Sequence, residues 1–228
     1  MNVRPPLPAL ALLLVGSSLA GCVANDASVQ IAYVCAPAKD ASSCAPTGGV
    51  CETFLTGQAD YWVQYATTLG IVDNGLFFFM EVHNQRPNNA SSDQGLNNTA
   101  DARITEYDLS YGFPGNPYSL PDYTVTAITV TVPAAGSTTP FVTLIPAELS
   151  LQIQSMLPAG STVLLDIYVR FKGTYVDGSS FETGKFKVAT YVHNSVFPGY
   201  GCTNSTDIVT NVCPNPGQTS SWTCASPT

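Results

Sequence analysis

The two histidines, His83 and His193, are the side chains best suited to acid–base chemistry, because an imidazole titrates near neutral pH. The sequence has no Gly-x-Ser-x-Gly elbow and no His-Glu-x-x-His pair. A Ser-His-Asp triad can still assemble in space from distant residues, so a hydrolase with an unrecognised triad stays an alternative. We favour strand-end histidines that hydrogen-bond to neighbouring carbonyls, and we predict no catalytic residue.

The loop between Asn84 and Asp101 is rich in hard oxygen donors of the kind that bind Ca²⁺. Its donors are Asn88, Asn89, Asp93, Asn97, Asn98 and Asp101. Their spacing does not follow D-x-D-x-D-G, and no Glu closes the loop. We therefore predict a solvated loop without metal or cofactor, and keep Asp93 and Asp101 as the calcium candidates.

Four aromatic residues surround a proline-rich connection and are candidates for ligand contact: Tyr111, Phe113, Tyr118 and Tyr123. Exposed aromatic rings on a rigid scaffold can stack on sugar rings or anchor a partner protein. The interpretation we favour is that these four cap one end of the core. The contact interpretation would make the protein a surface adhesin that binds carbohydrate or protein.

Four basic residues alternate along the last predicted hairpin and are expected to form one patch: Arg170, Lys172, Lys185 and Lys187. The simplest interpretation is a solvated sheet face. A site for an acidic partner or a phosphate head group is the alternative.

The chain has seven cysteines, and Cys22 lies apart from the rest, behind the apolar start. The other six are disulfide candidates: Cys35, Cys44, Cys51, Cys202, Cys213 and Cys224. An even number in an oxidising compartment predicts three disulfides. A metal site would need closer pairs, since at least six residues separate any two of these cysteines. The spacing leaves the pairing open.

The first residues have the organisation of an export signal. Arg4 precedes the apolar run Leu7–Val15, which is much shorter than the roughly 20 residues of a membrane span. Leu19-Ala20-Gly21-Cys22 follows this run and resembles the lipobox of bacterial lipoproteins. This resemblance implies cleavage before Cys22, a diacylglycerol on its thiol and acylation of the new amine. Val23 in place of Asp implies sorting to the outer membrane.

Composition limits the partners. The formal net charge is −8, and only 11% of residues are charged. Such a chain is a poor ligand for nucleic-acid phosphates, so we predict no nucleic-acid partner. We expect its partners to be the membrane, through the N-terminal lipid, and an envelope protein or glycan.

The elements that must position these residues are mostly strands. Alternation over Val163–Phe171 predicts the clearest half-buried strand, with Phe186–Val192 as its hairpin partner. Further strands are predicted at Gln30–Val34, Tyr61–Tyr65, Leu76–Val82, Ala102–Tyr111, Tyr123–Val132 and Phe141–Ile145. Ile104 lies on the opposite parity from Tyr107, which indicates a bulge or two covered faces. Leu149, Ile153, Met156 and Leu157 predict one short helix between two prolines.

The order of the segments "ITEYDLSY", "VPAAGSTTPFVTLIP" and "YVRFKGTYVDGSSFETGKFKV" resembles immunoglobulin-like or fibronectin-III-like sandwiches, and the water-stress (LEA-2) type in particular. The likeness spans Leu76–Val192. It departs from those domains at Asn84-Gln85, where Asn-Pro is usual, and in a longer loop. It implies a fold and carries over no functional residue.

We therefore predict a mainly β protein: an antiparallel immunoglobulin-like β-sandwich with one short helix and disulfide-stapled terminal segments. The predicted organisation is a signal peptide (1–21), a tether with an N-terminal Cys-containing segment (22–56), the sandwich (57–195) and a Cys-containing tail (196–228). The expected function is that of a lipid-anchored outer-membrane protein, periplasmic or surface-facing, whose non-enzymatic sandwich is a structural or binding module.

Overall fold

A computed structural model describes ten stretches of the chain. They are residues 28–36, 38–39, 46–47, 53–54, 59–67, 70–73, 75–88, 99–196, 208–213 and 221–226. The lipobox and the predicted lipidation site lie outside the described residues. Four other candidate residues also lie outside them: Cys44, Cys51, Asp93 and Cys202.

The described chain is mainly strand. In chain order the strands are β1 (Val29–Ala36), β2 (Ala38–Lys39), β3 (Pro46–Thr47), β4 (Thr53–Phe54), β5 (Ala59–Thr67), β6 (Gly70–Asp73), β7 (Leu76–Asn84), β8 (Ala102–Gly112), β9 (Tyr123–Val132), β10 (Gly136–Thr138), β11 (Phe141–Ile145), β12 (Thr162–Tyr175), β13 (Ser180–Glu182), β14 (Phe186–Val196), β15 (Ile208–Cys213) and β16 (Ser221–Ala225). The helix α1 (Ala147–Met156) lies between β11 and β12. Each strand predicted from the sequence is present, and the predicted helix is confirmed.

The larger sheet has seven strands and is built around β12. Its order is β6-β5-β14-β12-β8-β9, with β13 paired to the end of β12. The predicted hairpin pairing is confirmed, since Val163 lies opposite Val192 and Val169 opposite Phe186. The short strand β13, which the sequence did not predict, lies between β12 and β14 in the chain and pairs with β12.

One strand pair departs from the predicted antiparallel arrangement. Strand β5 runs parallel to β14, with Ala59 opposite Thr190 and Tyr61 opposite Val192. Side-chain alternation indicates which face of a strand is buried, but it carries no information on the direction of a neighbour. Since these two strands are far apart in the chain, no tight turn forces them to be antiparallel.

The smaller sheet has five strands, in the order β10-β7-β1-β4, with β11 also paired to β7. Strand β7 therefore has neighbouring strands along both of its edges. Strand β1 comes from the segment predicted as a tether and pairs with β7 through Val29 opposite Asn84.

Both sheets contribute to one hydrophobic core, in a sandwich-like arrangement. Phe78 and Met80 of the smaller sheet and Leu109, Ile167 and Phe171 of the larger sheet are all buried in it. The helix adds Leu149, Ile153 and Leu157, three of the four residues of its predicted stripe, while Met156 is partly buried. Within the described part of the chain, no helix is long and apolar enough to cross a membrane.

The bulge indicated by Ile104 is present in β8. Lys172 lies opposite Glu106 whereas Gly173 lies opposite Ile104, so Thr105 is the extra residue. The bulge brings the two backbones so close that a Cβ on Gly173 would lie 1.9 Å from the carbonyl oxygen of Arg103. It also lets Ile104 join Tyr107 in the core despite their opposite parity.

Two short pairs of strands lie outside the two main sheets. One consists of β2 and β3, and the other is the β15–β16 hairpin in the predicted tail. The register of the hairpin places Cys213 opposite Ser221 and Cys224 opposite Val209. Cys35 is at the end of β1, opposite Phe54. The three disulfides stay a prediction, and their pairing stays open.

Candidate functional site

An open depression of about 330 Å³ lies on the outer face of the larger sheet. It is lined by Asp108, Leu109, Ser110, Asp122, Tyr123, Thr124, Tyr168, Arg170, Lys172 and Lys185. The alternation of β12 explains this placement: Val169 and Phe171 point into the core, so Tyr168, Arg170 and Lys172 project outward.

Asp108 is the centre of the charge network in this depression. Its carboxylate accepts hydrogen bonds from Arg170 Nη2 at 2.8 Å and Thr124 Oγ1 at 3.0 Å, and forms an ion pair with Lys172 Nζ at 2.9 Å. Arg170 also reaches Glu182 at 2.8 Å, and Lys172 reaches Glu106 at 3.1 Å. Neighbouring strands therefore supply alternating charges that hold one another in place.

The pKa of Asp108 reflects this environment. Burial by itself raises the pKa of the carboxyl group, but the hydrogen bonds from Lys172, Arg170 and Thr124 outweigh burial and lower the pKa from 3.8 to about 2. The same bonds raise the pKa values of Arg170 and Lys172. All three groups are therefore charged at neutral pH.

The predicted basic patch is divided by these contacts. Arg170, Lys172 and Lys185 line the depression, whereas Lys187 forms an ion pair with Asp166 at 3.3 Å outside it. Among the residues that the structure describes, Lys185 forms no ion pair. Lys185 is thus the one cation of the lining whose ammonium group is not already held by an acid of the described chain.

The four aromatic candidates are placed in different environments. Phe113 is buried and contacts the half-buried Tyr118 edge-on, with ring centroids 5.8 Å apart. The hydroxyl of Tyr111 donates to the carbonyl oxygen of Leu144 at 2.8 Å, which ties the end of the larger sheet to the smaller one. Tyr123 is 38% exposed and lines the depression. Because Tyr123 lies opposite the buried Leu109 in the register, its side chain is on the face of the sheet opposite Asp108 and Arg170.

His193 is the centre of a second polar cluster on the same sheet. Its Nε2 lies 2.9 Å from Asp60 Oδ1 and its Nδ1 lies 2.9 Å from Thr162 Oγ1. The ring stacks on Trp62, with centroids 4.4 Å apart and planes 11° apart. The side chains of Asp60, His193 and Thr162 come from the adjacent strands β5, β14 and β12. Thr162 lies directly opposite His193 in the register.

His83 lies at the end of β7, where its Nε2 is 2.7 Å from Glu81 Oε1. His83 also lines a second, shallower depression with Ser137. The predicted hydrogen bond from a histidine to a neighbouring carbonyl is replaced, at both histidines, by contacts with side-chain carboxylates. Such contacts are common between neighbours on one sheet face.

The calcium candidates are only partly described. Asp101 Oδ1 accepts a hydrogen bond from the backbone nitrogen of Ala134 at 2.9 Å. Among the described residues, no three or more His, Cys, Asp or Glu side chains are grouped as metal ligands. Calcium binding by the loop stays a prediction.

The residues that sequence reasoning missed are the acids and hydroxyls of the depression. Asp108, Asp122 and Thr124 are brought to the cations of β12 only because β8 pairs with β12 and β9 pairs with β8. Their parity was a usable signal, because Asp108 alternates with the buried Tyr107 and Leu109. Asp60 likewise alternates with the buried Ala59 and Tyr61, but only the parallel pairing of β5 with β14 brings it to His193.

No protein-family model matches the chain, and no curated protein is similar to it. The candidate site is therefore defined by its own geometry alone.

Proposed function

We propose that this protein is a lipid-anchored lipoprotein of the bacterial outer membrane whose immunoglobulin-like sandwich acts as a non-catalytic binding module. The single observation that carries the binding role is the open polar depression around Asp108. Its walls present the donors and acceptors of Asp108, Thr124, Arg170 and Lys172. Small-molecule sites use a few such polar groups to orient a ligand.

The proposed location in the outer membrane rests on Leu19-Ala20-Gly21-Cys22 and the apolar run before it. Two or three acyl chains at Cys22 would hold the protein firmly, whereas one chain alone binds membranes only marginally. Val23 supports the outer membrane as the destination. Of the six remaining cysteines, Cys35, Cys44 and Cys51 precede β5 and the other three follow β14. All six would form disulfides in that oxidising compartment.

The non-catalytic role is supported by how the charged groups are used. A general base must have a lone pair available for the proton that it removes. In the depression, Asp108 is occupied by three donors and has a lowered pKa, which makes it a poor proton acceptor. The arrangement favours orientation of a bound molecule over bond cleavage.

The anchor can be tested by fractionating cells that produce the wild-type chain or Cys22→Ser. We expect the wild-type protein in the outer-membrane fraction, with a mature N-terminus at Cys22 that carries diacylglycerol and an amide-linked acyl chain by mass spectrometry. Cys22→Ser should lack the lipid and retain residues 1–21. An unmodified Cys22 thiol in the wild-type protein would contradict the proposal.

The second candidate function is a hydrolase, and the contacts of His193 are the observation that favours it. Asp60, His193 and a hydroxyl are joined in the order that an acyl-transfer triad requires. Two features argue against it: the acid contacts Nε2 and the hydroxyl contacts Nδ1, the reverse of the usual arrangement, and the hydroxyl belongs to a β-branched threonine.

This alternative predicts turnover of ester or peptide substrates that His193→Ala and Thr162→Val abolish. His83→Ala is the matched control, because His83 also contacts a carboxylate but lies on the other sheet. Turnover that His193→Ala abolishes and His83→Ala leaves unchanged would replace the non-catalytic proposal.

A further inference from the structure

We infer that the outer face of the smaller sheet lies against the membrane that holds the lipid anchor. This inference rests on the lipidation of Cys22 proposed above, and it adds which surface of the sandwich the bilayer contacts. It follows from an exposed aromatic patch on this face, from the short tether between Cys22 and β1, and from the acidic residues on the outer face of the other sheet.

Four aromatic side chains form the patch: Tyr33, Phe77, Phe79 and Phe141. In β7, Phe77 and Phe79 alternate with the core residues Phe78 and Met80, so they project from the outer face of the sheet. Phe141, on the neighbouring strand β11, joins both of them. Its ring centroid lies 5.0 Å from that of Phe77 and 5.5 Å from that of Phe79.

Two rings of the patch are open to solvent, because Phe141 is 42% exposed and Tyr33 is 49% exposed. Phe141 lies opposite Phe79, and Tyr33 lies opposite Glu81 on the other side of β7. Since residues opposite each other share a face, both exposed rings are on the outer face of the smaller sheet. The outer face of an antiparallel sheet is usually polar, so a group of exposed aromatic rings indicates a contact surface.

The tether brings a bilayer within reach of this patch. Six residues lie between Cys22 and Val29, the first residue of β1. Even fully extended, this length of chain spans at most about 25 Å. At about 3.3 Å per residue, Tyr33 lies roughly 13 Å and Phe141 roughly 20 Å along the sheet from Val29. A lipid on Cys22 therefore holds the patch close to the membrane surface.

The charges favour this face over the outer face of the larger sheet. The larger sheet carries Glu106, Asp108 and Glu182 there, in the network around the depression. On the outer face of the smaller sheet, Glu81 is the one acid among the described residues, and it contacts His83 at 2.7 Å. Anionic phospholipids give a bilayer a negative surface potential, which repels an acid-rich face more strongly.

The chemistry of the patch fits the boundary between head groups and acyl chains. Phenylalanine rings gain from leaving water, and a tyrosine there keeps its hydroxyl among the polar head groups. In this orientation the larger sheet faces away from the bilayer. The depression around Asp108 is then open to molecules in the aqueous compartment, as the proposed binding role requires.

The test uses the full lipidated chain in vesicles of phosphatidylethanolamine and phosphatidylglycerol that contain a phospholipid with a nitroxide on its head group. Nitroxides quench tryptophan fluorescence at short range. Tyr33→Trp places a tryptophan in the patch. Tyr191→Trp is the matched control, because Tyr191 is also an exposed tyrosine, at 39%, but alternates with the buried Thr190 and Val192 on the outer face of the larger sheet. The emission of the two native tryptophans, measured in the wild type, is subtracted.

We expect the added emission of Tyr33→Trp to be quenched at least about twofold more than that of Tyr191→Trp, because packed sheets are about 10 Å apart and side chains extend from both outer faces. Adding Phe141→Ser to Tyr33→Trp should reduce this difference, since one of the two exposed rings is lost. Leu151→Ser is the control for that change: Leu151 is 51% exposed on α1, outside the patch, and its loss should leave the quenching unchanged. Circular dichroism checks that each variant is folded.

Three outcomes would overturn the inference while the protein still floats with the vesicles: equal quenching of the two tryptophans, stronger quenching of Tyr191→Trp, or quenching of neither. The last outcome would leave the patch for a protein partner. Failure of the anchor is recognised separately, because an unlipidated Cys22 is read from the mass of the N-terminus and the protein would then separate from the vesicles. That result would overturn the anchor and the orientation together.

Discussion

The hydroxyl of Tyr107 lies 3.1 Å from the backbone nitrogen of Thr143 and 3.3 Å from its carbonyl oxygen. A single side chain of β8 thus accepts a hydrogen bond from β11 and donates one back to it. Since β8 belongs to the larger sheet and β11 to the smaller, this contact fixes the two sheets relative to each other. It lies under the candidate site, because Tyr107 is next to Asp108 in the strand.

Tyr107→Phe is expected to reduce the free energy of unfolding by about 1–3 kcal/mol, because two backbone groups of Thr143 lose their partner inside the sandwich. Urea unfolding followed by fluorescence measures the change. Tyr118→Phe is the control: Tyr118 packs on the same core, and its hydroxyl has no hydrogen bond among the described residues. Equal stability of both variants would show that the Thr143 contact is not formed in solution.

Tyr107 and Tyr111 predict that the protein loses stability at alkaline pH. Burial raises the pKa of Tyr107 and raises that of Tyr111 still further. An unfolded tyrosine ionises near pH 10. Their contribution to stability is therefore complete below about pH 10 and is lost as the pH rises above that value, because the unfolded state releases protons that the folded state retains.

Chemical unfolding between pH 8 and 11 measures this loss. In the double variant Tyr107→Phe/Tyr111→Phe, stability at pH 8 should be lower, but it should fall less steeply between pH 10 and 11 than in the wild type. An unchanged slope would contradict the assigned pKa shifts.

The lowered pKa of Asp108 predicts that the protein loses stability at acid pH. Its folded pKa of about 2 lies below the ordinary value of 3.8. The stability that it contributes is therefore present above about pH 4 and is lost as the pH falls towards 2. Asp108→Asn should remove about 1–2 kcal/mol at pH 7, a value reduced for the solvent that reaches this partly exposed group, and should flatten the profile below pH 4.

Asp177→Asn is the comparison for the acid experiment. The pKa of Asp177 is also lowered, chiefly by hydrogen bonds from Ser179, but Asp177 lies at an exposed turn far from the depression in the sheet. If Asp177→Asn and Asp108→Asn had the same effect at pH 7, the network around Asp108 would have no special structural role.

The strands could be predicted from the sequence because each carries its own alternation. The run from Val163 to Phe171 shows which side chains face the core without reference to any other strand. The helix could also be predicted from its own residues, since Leu149 and Ile153 have helical spacing between two prolines.

The neighbours of each strand could not be predicted in this way. That β8 lies beside β12, and β5 parallel to β14, depends on long-range packing. The candidate site depends on those neighbours, since Asp108 meets Arg170 only because β8 and β12 are adjacent. The basic patch was therefore expected from the last predicted hairpin alone, while the acids that neutralise it were not.

Buried polar side chains were missed for the same reason. Asn84 is 2% exposed, and its amide donates to the carbonyl oxygens of Ala100 at 2.8 Å and Val132 at 3.2 Å. Asn194 donates to Gln154 and Leu157 at the end of the helix. Both look like ordinary loop residues in the sequence, because their carbonyl partners are 16 to 48 residues away.

The bulge in β8 yields a prediction in which two glycines of neighbouring strands can be compared directly. A Cβ on Gly173 would lie 1.9 Å from the backbone carbonyl oxygen of Arg103. The backbone fixes the position of a Cβ, so no side-chain rotation could relieve this clash. Gly173→Ala must therefore either push β12 and β8 apart or remove the bulge, and we expect the free energy of unfolding to fall by about 2–3 kcal/mol.

Gly112→Ala is the control, because a Cβ there meets nothing within 4 Å. The control should be as stable as the wild type or slightly more stable, since alanine reduces the entropy of the unfolded chain. If the two variants melt at the same temperature, the close approach of the strands at Thr105, and with it the alignment of Glu106 and Asp108 with the cations of β12, would not exist in solution.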